Sequence, residues 1–212
     1  MGILHNLTEL NAGLPQGVIL VAVSKTKPES DLLEAYQAGQ RIFGENKIQE
    51  MVSKWQSLPK DIQWHMIGHV QTNKVKYMAP FVHTIHAVDS IKLIKEIQKQ
   101  ALKNDRIIEC LVQIRIAQEE TKFGLPAAKL KELLKEAVHF PNVKIKGLMG
   151  MASFTANEEQ IRNEFKLLAN LYKNHPHFKV LSMGMSGDYT IAIEEGSNMI
   201  RVGSKIFGKR NY

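Results

Sequence analysis

Lys25 is the residue whose placement most invites chemistry. It follows Ser24 at the end of six consecutive apolar residues, Val18 to Val23, a run too short for a buried helix and rich in β-branched types. Such a run reads as a strand covered on both faces. An amine at the carboxyl end of a strand in a parallel α/β fold stands where reactive groups collect, and it is placed to act as a Schiff-base nucleophile. The alternative is that Lys25 and Lys27 only solvate the strand exit. A second group lies in the last quarter of the chain, in Leu181-Ser-Met-Gly-Met-Ser186 and Met199-Ile-Arg-Val-Gly-Ser204. The Ser186 hydroxyl and the amides of Gly203 and Ser204 are candidates for a phosphate cradle, with glycine letting the backbone approach an anion.

An amine on a first strand, a phosphate cradle after the seventh and eighth, and Arg201 on the last strand together suit pyridoxal 5'-phosphate (PLP). An arginine facing the pyridine nitrogen favours its unprotonated form and weakens the ring as an electron sink. The competing structural readings are a helix cap for Ser186 and a salt-bridge partner for Arg201. Asn46, His65, Met149 and Met151 also fall at or near strand ends. His65 either edges the cofactor or is a core histidine satisfied by backbone. Met149, Met151, Met183 and Met185 read as core filling, with a thioether set against the heteroaromatic ring as the functional option, assigned to Met151. No GxGxxG, GxxxxGK[ST] or HExxH is present and no Cys/His cluster, so neither a dinucleotide, a P-loop nucleotide nor a metal site is expected.

The elements that must position these residues alternate along the whole chain. Strands are expected at Val18 to Val23, Arg41 to Phe43, Ile62 to Ile67, Thr84 to Val88, Ile107 to Ile116, Val143 to Met149, Lys179 to Met183 and Met199 to Val202. Between them lie helical stretches, among them Glu29 to Ala38, Val70 to Met78, Pro126 to His139 and Glu158 to Tyr172. Eight strands alternating with helices point to a closed, parallel (β/α)8 barrel of the TIM type rather than an open sheet, and no linker divides residues 1–212 into more than one domain.

Composition narrows the function classes. The net charge of +7 raises nucleic acid as a partner. Lys92, Lys95, Lys99 and Lys103 recur at helical spacing, however, and Lys131 and Lys135 interleave with Glu132 and Glu136, as on the wet face of an amphipathic helix. Nucleic acid is therefore not expected, and the group Lys74, Lys76 and Tyr77 remains as a candidate anion patch. No window is long and apolar enough for a membrane span and the N-terminus lacks a signal-peptide pattern, so a cytoplasmic protein without a membrane partner is expected. The single cysteine, Cys110, sits in an apolar run as a packed strand residue.

Six motifs, in order and spanning almost the whole chain, closely resemble the pyridoxal phosphate homeostasis protein family. They are Val23-Ser-Lys-Thr-Lys-Pro28, Phe43-Gly-Glu-Asn46 with Gln49 and Glu50, Trp64-His-Met-Ile-Gly-His-Val-Gln-Thr-Asn-Lys74, Gly147-Leu-Met-Gly-Met151, the Leu181 to Ser186 segment with Asp188, and Arg201-Val-Gly-Ser-Lys-Ile-Phe-Gly208. The resemblance implies a fold-type III barrel like the N-terminal domain of alanine racemase, without that enzyme's C-terminal β domain. It implies PLP held as a covalent aldimine on Lys25, Arg201 at the pyridine nitrogen, Ser186, Gly203 and Ser204 at the phosphate, and Asn46 near the ring or the lysine. Two positions depart from the family's pattern: Arg115 stands where strand five exits through asparagine, ahead of the matching Glu120, Lys122 and Gly124, and Asn198 stands where threonine is usual. The first bears on the polarity of the pocket rim, the second on strand packing. The role implied is vitamin B6 balance without established turnover; an isolated barrel of this kind is expected to be a monomer that binds and buffers PLP and passes it transiently to apo PLP-dependent enzymes. With the sequence stopping at Tyr212, soon after the eighth strand, no tyrosine from a β domain is expected as second acid/base, and two-base racemisation is not expected. The alternative is a broad-specificity amino-acid racemase using Lys25 as its base.

Overall fold

The apolar runs of the sequence become one closed ring. In the computed structural model, which describes residues 2–119 and 122–208, helix α1 (Ile3–Ala12) precedes strand β1 (Ile19–Val23), and the chain then alternates: α2 (Glu29–Gln37), β2 (Ile42–Glu45), α3 (Ile48–Ser57), β3 (Gln63–Met66), α4 (Val75–Met78), β4 (Thr84–Val88), α5 (Ile91–Lys103). It continues through β5 (Ile108–Gln113), α6 (Leu130–Ala137), β6 (Val143–Met149), α7 (Glu158–Lys173), β7 (Val180–Ser182), α8 (Tyr189–Glu194), β8 (Met199–Val202) and α9 (Ser204–Phe207). The strands pair in chain order, all parallel, and β8 returns to β1 with Val21 opposite Arg201. Parallel strands need crossovers that cover the sheet, which is why β1 alternates nothing and buries Leu20, Val21 and Ala22 in succession.

Two apolar layers follow from this. Leu20, Ala22 and Phe43 face outward onto the helices, where they join Leu32, Met51 and Phe165 in one continuous core. Val21, Ala87, Leu111, Met149 and Met199 form a smaller cluster that fills the barrel as packed side chains rather than a pore. Helix α5 shows how the surface is settled: Leu93, Ile94, Ile97 and Ala101 are buried, Lys92, Lys95, Lys99 and Lys103 are exposed, and the Ser90 hydroxyl caps the first turn by accepting from Leu93 N–H at 3.4 Å. The basic residues that raised nucleic acid are thus a solvated helix face. Cys110 is fully buried, and burial pushes its thiol up beyond its ordinary range.

Several boundaries differ from the sequence reading. Strand β5 stops at Gln113 instead of Ile116, because Arg115 N–H turns to Leu125 O at 3.0 Å while Leu125 N–H donates to Gln113 O at 2.7 Å. The segment expected as helix Val70 to Met78 is a 3-10 turn at Thr72–Lys74 followed by the short α4. Strand β2 reaches Glu45, two residues further than expected, and α9 was not anticipated. Glu120 and Tyr212 lie outside the described residues. Among the described residues no helix is long and apolar enough to cross a membrane.

Gly147 marks the tightest strand contact. A Cβ there would lie 1.8 Å from the Val180 carbonyl oxygen, across the β6–β7 pair. Gly147→Ala is expected to lower the unfolding free energy by about 3 kcal/mol, since backbone rather than a side chain must give way; urea titration followed by circular dichroism checks this.

Candidate functional site

The strand ends converge on a cavity of about 510 Å³ at the carboxyl end of the barrel. All seven residues singled out for a cofactor line it: Lys25 beyond β1, Asn46 beyond β2, Met151 beyond β6, Ser186 beyond β7, and Arg201, Gly203 and Ser204 on or beyond β8. They come from five strands and span residues 25 to 204, so only closure of the ring brings them together.

The floor of the cavity is set by Arg201, which is 3% exposed. Its Nη1 donates to Ser182 Oγ at 2.7 Å and its Nη2 to Gly150 O at 2.9 Å. Burial pushes the guanidinium down to about 10, partly offset by the nearby Asp188 carboxylate, so it remains a cation at neutral pH. Asp188, pushed up by burial, accepts from Met185 N–H at 2.5 Å and so orders the turn that carries Ser186. The Ser186 hydroxyl in turn accepts from Gly203 N–H at 3.2 Å, tying the β7 and β8 exits into one rim. Gly203 packs closely against β1, since a Cβ there would approach the Val23 carbonyl oxygen to 3.0 Å, tighter than most such contacts. The helix-cap alternative for Ser186 does not hold, since its hydroxyl bonds the neighbouring strand exit. The salt-bridge alternative for Arg201 holds only in that Asp188 acts on it through space.

The donor set suits a phosphorylated aromatic aldehyde. The described residues lining the cavity include the cations Lys25, Lys27 and Arg201, and none of those described bears a carboxylate. A dianionic phosphate therefore meets attraction from these described cations. Asn46 Oδ1 is a buried acceptor with no hydrogen-bond partner among the described residues, a vacancy that a ring hydroxyl would satisfy. PLP has that phosphate, that hydroxyl and an aldehyde for an amine, so the residues present fit it.

Other candidates lie elsewhere. His65 belongs to a polar column under the cavity and does not line it. Its Nδ1 is 2.9 Å from His86 Nε2, and His86 Nδ1 is 3.3 Å from the Ser182 Oγ that accepts from Arg201. Its partner is thus a side chain, not the backbone. Burial pushes His65 down to about 3 and His86 well below its usual range, so both rings are neutral at physiological pH. Met149 is wholly buried inside the barrel, as core filling. Lys74 and Lys76 sit over the Tyr77 ring, at 5.7 and 5.0 Å from its centroid, away from the cavity. Arg115 is exposed and does not line the cavity; the polar group on that side is Gln113, whose Nε2 donates to Phe123 O at 2.9 Å. Asn198 accepts from Leu181 N–H and donates to Lys179 O, both at 2.8 Å, which is strand packing as expected.

Sequence reasoning missed Gln113, His69, Phe123 and Phe154, which also line the cavity. His69 stacks on Phe123 with centroids 4.0 Å apart, and Phe154 is 99% exposed at the rim. An apolar ring next to Gly or Ser in a loop carries no signal of its own; the pairing of His69 with Phe123 arises only across the barrel mouth.

The chain matches the family model for the alanine racemase N-terminal domain over residues 2–211. The alanine racemase of Clostridium difficile 630 has the same barrel, with a TM-score of 0.78 at 14% identity; all of this chain is covered but 57% of that one. Fold and site thus define a barrel of the alanine racemase N-terminal type, without coverage of that enzyme's remaining domain. The pyridoxal phosphate homeostasis protein of Aquifex aeolicus is 41% identical over 202 residues, covering 91% of this chain and 87% of its own. That of Escherichia coli is 36% identical over 206 residues, covering 93% and 88%. PipY of Synechococcus elongatus PCC7942, solved with PLP bound, superposes with a TM-score of 0.88 at 34% identity, over 97% of this chain and 100% of that one. The chain belongs to the pyridoxal phosphate homeostasis protein family.

The column beneath the cavity has a pH signature. The folded His65 titrates near 3, below the ordinary value of 6.5, so the unfolded chain takes up its proton first as the pH falls. The stability this ring contributes is complete above about pH 6.5 and is lost progressively towards pH 3. Thermal unfolding from pH 7 to 4 is expected to show falling stability, with a flatter slope in His65→Gln even though that variant is less stable at pH 7.

Proposed function

We propose that this chain binds PLP and holds it in reserve, serving cofactor homeostasis rather than turnover. The observation that carries the reading is the convergence of Lys25, Arg201 and the Ser186–Gly203 rim on one cavity whose described lining residues bear no carboxylate. The names of the relatives support it, being names for homeostasis and not for a reaction, as does the PLP bound to PipY.

PLP supplies an aldehyde carbon and a conjugated ring that can take up negative charge. Lys25 is the residue that holds it covalently: the neutral amine attacks the aldehyde carbon, a carbon–nitrogen double bond forms, and the aldehyde oxygen leaves as water. Ser186 with the amides of Gly203 and Ser204 takes the phosphate. Arg201, a cation fixed by Ser182 and Gly150, faces the pyridine nitrogen as a donor, keeps it unprotonated and so restrains the ring as an electron sink. Asn46 Oδ1 takes the ring hydroxyl, and Met151 lies against the ring. The protein acts in the cytoplasm as a single-domain monomer and gives the cofactor up transiently to apo PLP-dependent enzymes.

The near-ultraviolet and visible spectrum of the purified protein, before and after borohydride, tests this. An absorbance band that borohydride traps in the wild type and that is absent from Lys25→Ala is the expected result. No band even after PLP is added would sink the reading. Lys25-dependent exchange of the L-alanine α hydrogen in deuterium oxide would replace the holding role with turnover. Ser186→Ala, which removes one rim hydroxyl, is expected to weaken PLP binding about tenfold, measured by equilibrium titration.

A further inference from the structure

Behind Lys25, on the side of β1 away from the cavity, lies a buried ion cluster that the binding role does not use. Lys54 on α3 is 4% exposed. Its ammonium donates in three directions: to Ser24 O at 2.8 Å, to Glu45 Oε1 at 2.8 Å and to Glu50 Oε1 at 2.7 Å. Glu45 Oε1 also accepts from Ser24 Oγ at 2.6 Å, and Glu50 Oε1 from Thr26 N–H at 2.6 Å. Both neighbours of Lys25 are therefore held, Ser24 through carbonyl and hydroxyl and Thr26 through its amide. Burial pushes the Glu45 carboxyl up, while Lys54 and Ser24 push it back.

The turn so held is a strained one. Thr26 has φ +64°, and Asp105 is the one other described non-glycine residue with positive φ. A β-branched residue does not take that conformation unless its surroundings impose it. Apolar side chains would join α3 to β1 and β2 as well as a buried ion cluster does, so the cluster's distinctive effect is on the backbone it grips.

We infer that Lys54, bridging Glu45 and Glu50, is a positioning residue for Lys25: the cluster locks residues 24–26 in the turn that aims the Lys25 side chain into the cavity. It acts through Lys25 and touches no ligand. The inference rests on the reading of Lys25 as the residue that bonds PLP.

The test uses Glu50, whose side chain is 23% exposed, so that its replacement spares the fold. Glu50→Ala removes the acceptor for Thr26 N–H and one arm of Lys54; Glu50→Gln retains an oxygen that can accept from both. Loading of PLP onto the cofactor-free protein is followed by stopped-flow absorbance, with borohydride trapping as the endpoint and thermal unfolding as the control. Glu50→Ala is expected to load about 10- to 100-fold more slowly, with the pH titration of its adduct band displaced, and Glu50→Gln to recover most of the rate. Should Glu50→Ala not fold, Glu50→Asp draws the carboxylate back from Thr26 while keeping charge opposite Lys54, and the same slowing is expected. Unchanged loading and titration, or a slowing that Glu50→Gln does not relieve, would overturn the inference while the Lys25 reading stands. A wild type with no trapped adduct would overturn the reading beneath it.

Discussion

The pairing of β8 with β1 is the constraint on which everything else depends. It sets Val21 opposite Arg201, and so places the exit carrying Lys25 beside the one carrying Gly203 and Ser204. Without that closure Lys25 and Ser204, the first and last of the seven cavity-lining candidates, would stand at opposite edges of a sheet. Closure also accounts for the burial of strand residues on both faces, since a ring has no edge and its interior must be filled. Val21, Ala87, Leu111, Met149 and Met199 fill part of it.

The remainder of the interior is polar. Arg201, Ser182, His86 and His65 form a continuous chain of close contacts through the middle of the barrel. Burying a guanidinium is expensive unless each face of it meets an acceptor, and Ser182 and the Gly150 carbonyl are such acceptors. The histidines behind them stay neutral because desolvation opposes their protonation. A cation is thus presented to the cavity from below with its orientation set by side chains that themselves have little freedom. The Lys54 cluster does the equivalent for the β1 exit, gripping backbone instead of a side chain. Arg201 and Lys25, both of which line the cavity, are each backed by a buried network of their own.

Much of this was legible in the sequence for definite reasons. The eight apolar runs, the spacing of lysines on α5 and the six motifs all depend on neighbours along the chain, where periodicity and composition speak directly. Boundaries were less so: β5 ends early because Arg115 pairs with Leu125, ten residues on, a contact invisible to any local pattern. Arg115 departs from the family's pattern, yet the residue facing the cavity is Gln113: continued alternation would put both on one face, but β5 ends at Gln113 and Arg115 turns away to pair with Leu125.

The sequence by itself determined the class of the fold, the strand-end position of Lys25, Ser186 and Arg201, and the family, because each rests on residue type and order. Tertiary structure alone decided that His65 pairs with His86 rather than with backbone, that His69 and Phe123 stack at the mouth, and that Lys54 grips the turn around Lys25. Those contacts join residues 21, 54 and 30 positions apart. The first and third arise because parallel pairing sets β3 beside β4 and β1 beside β2, the second because the loops after β3 and β5 meet across the barrel mouth, and such pairing between separate strands is a property that no single stretch of chain encodes.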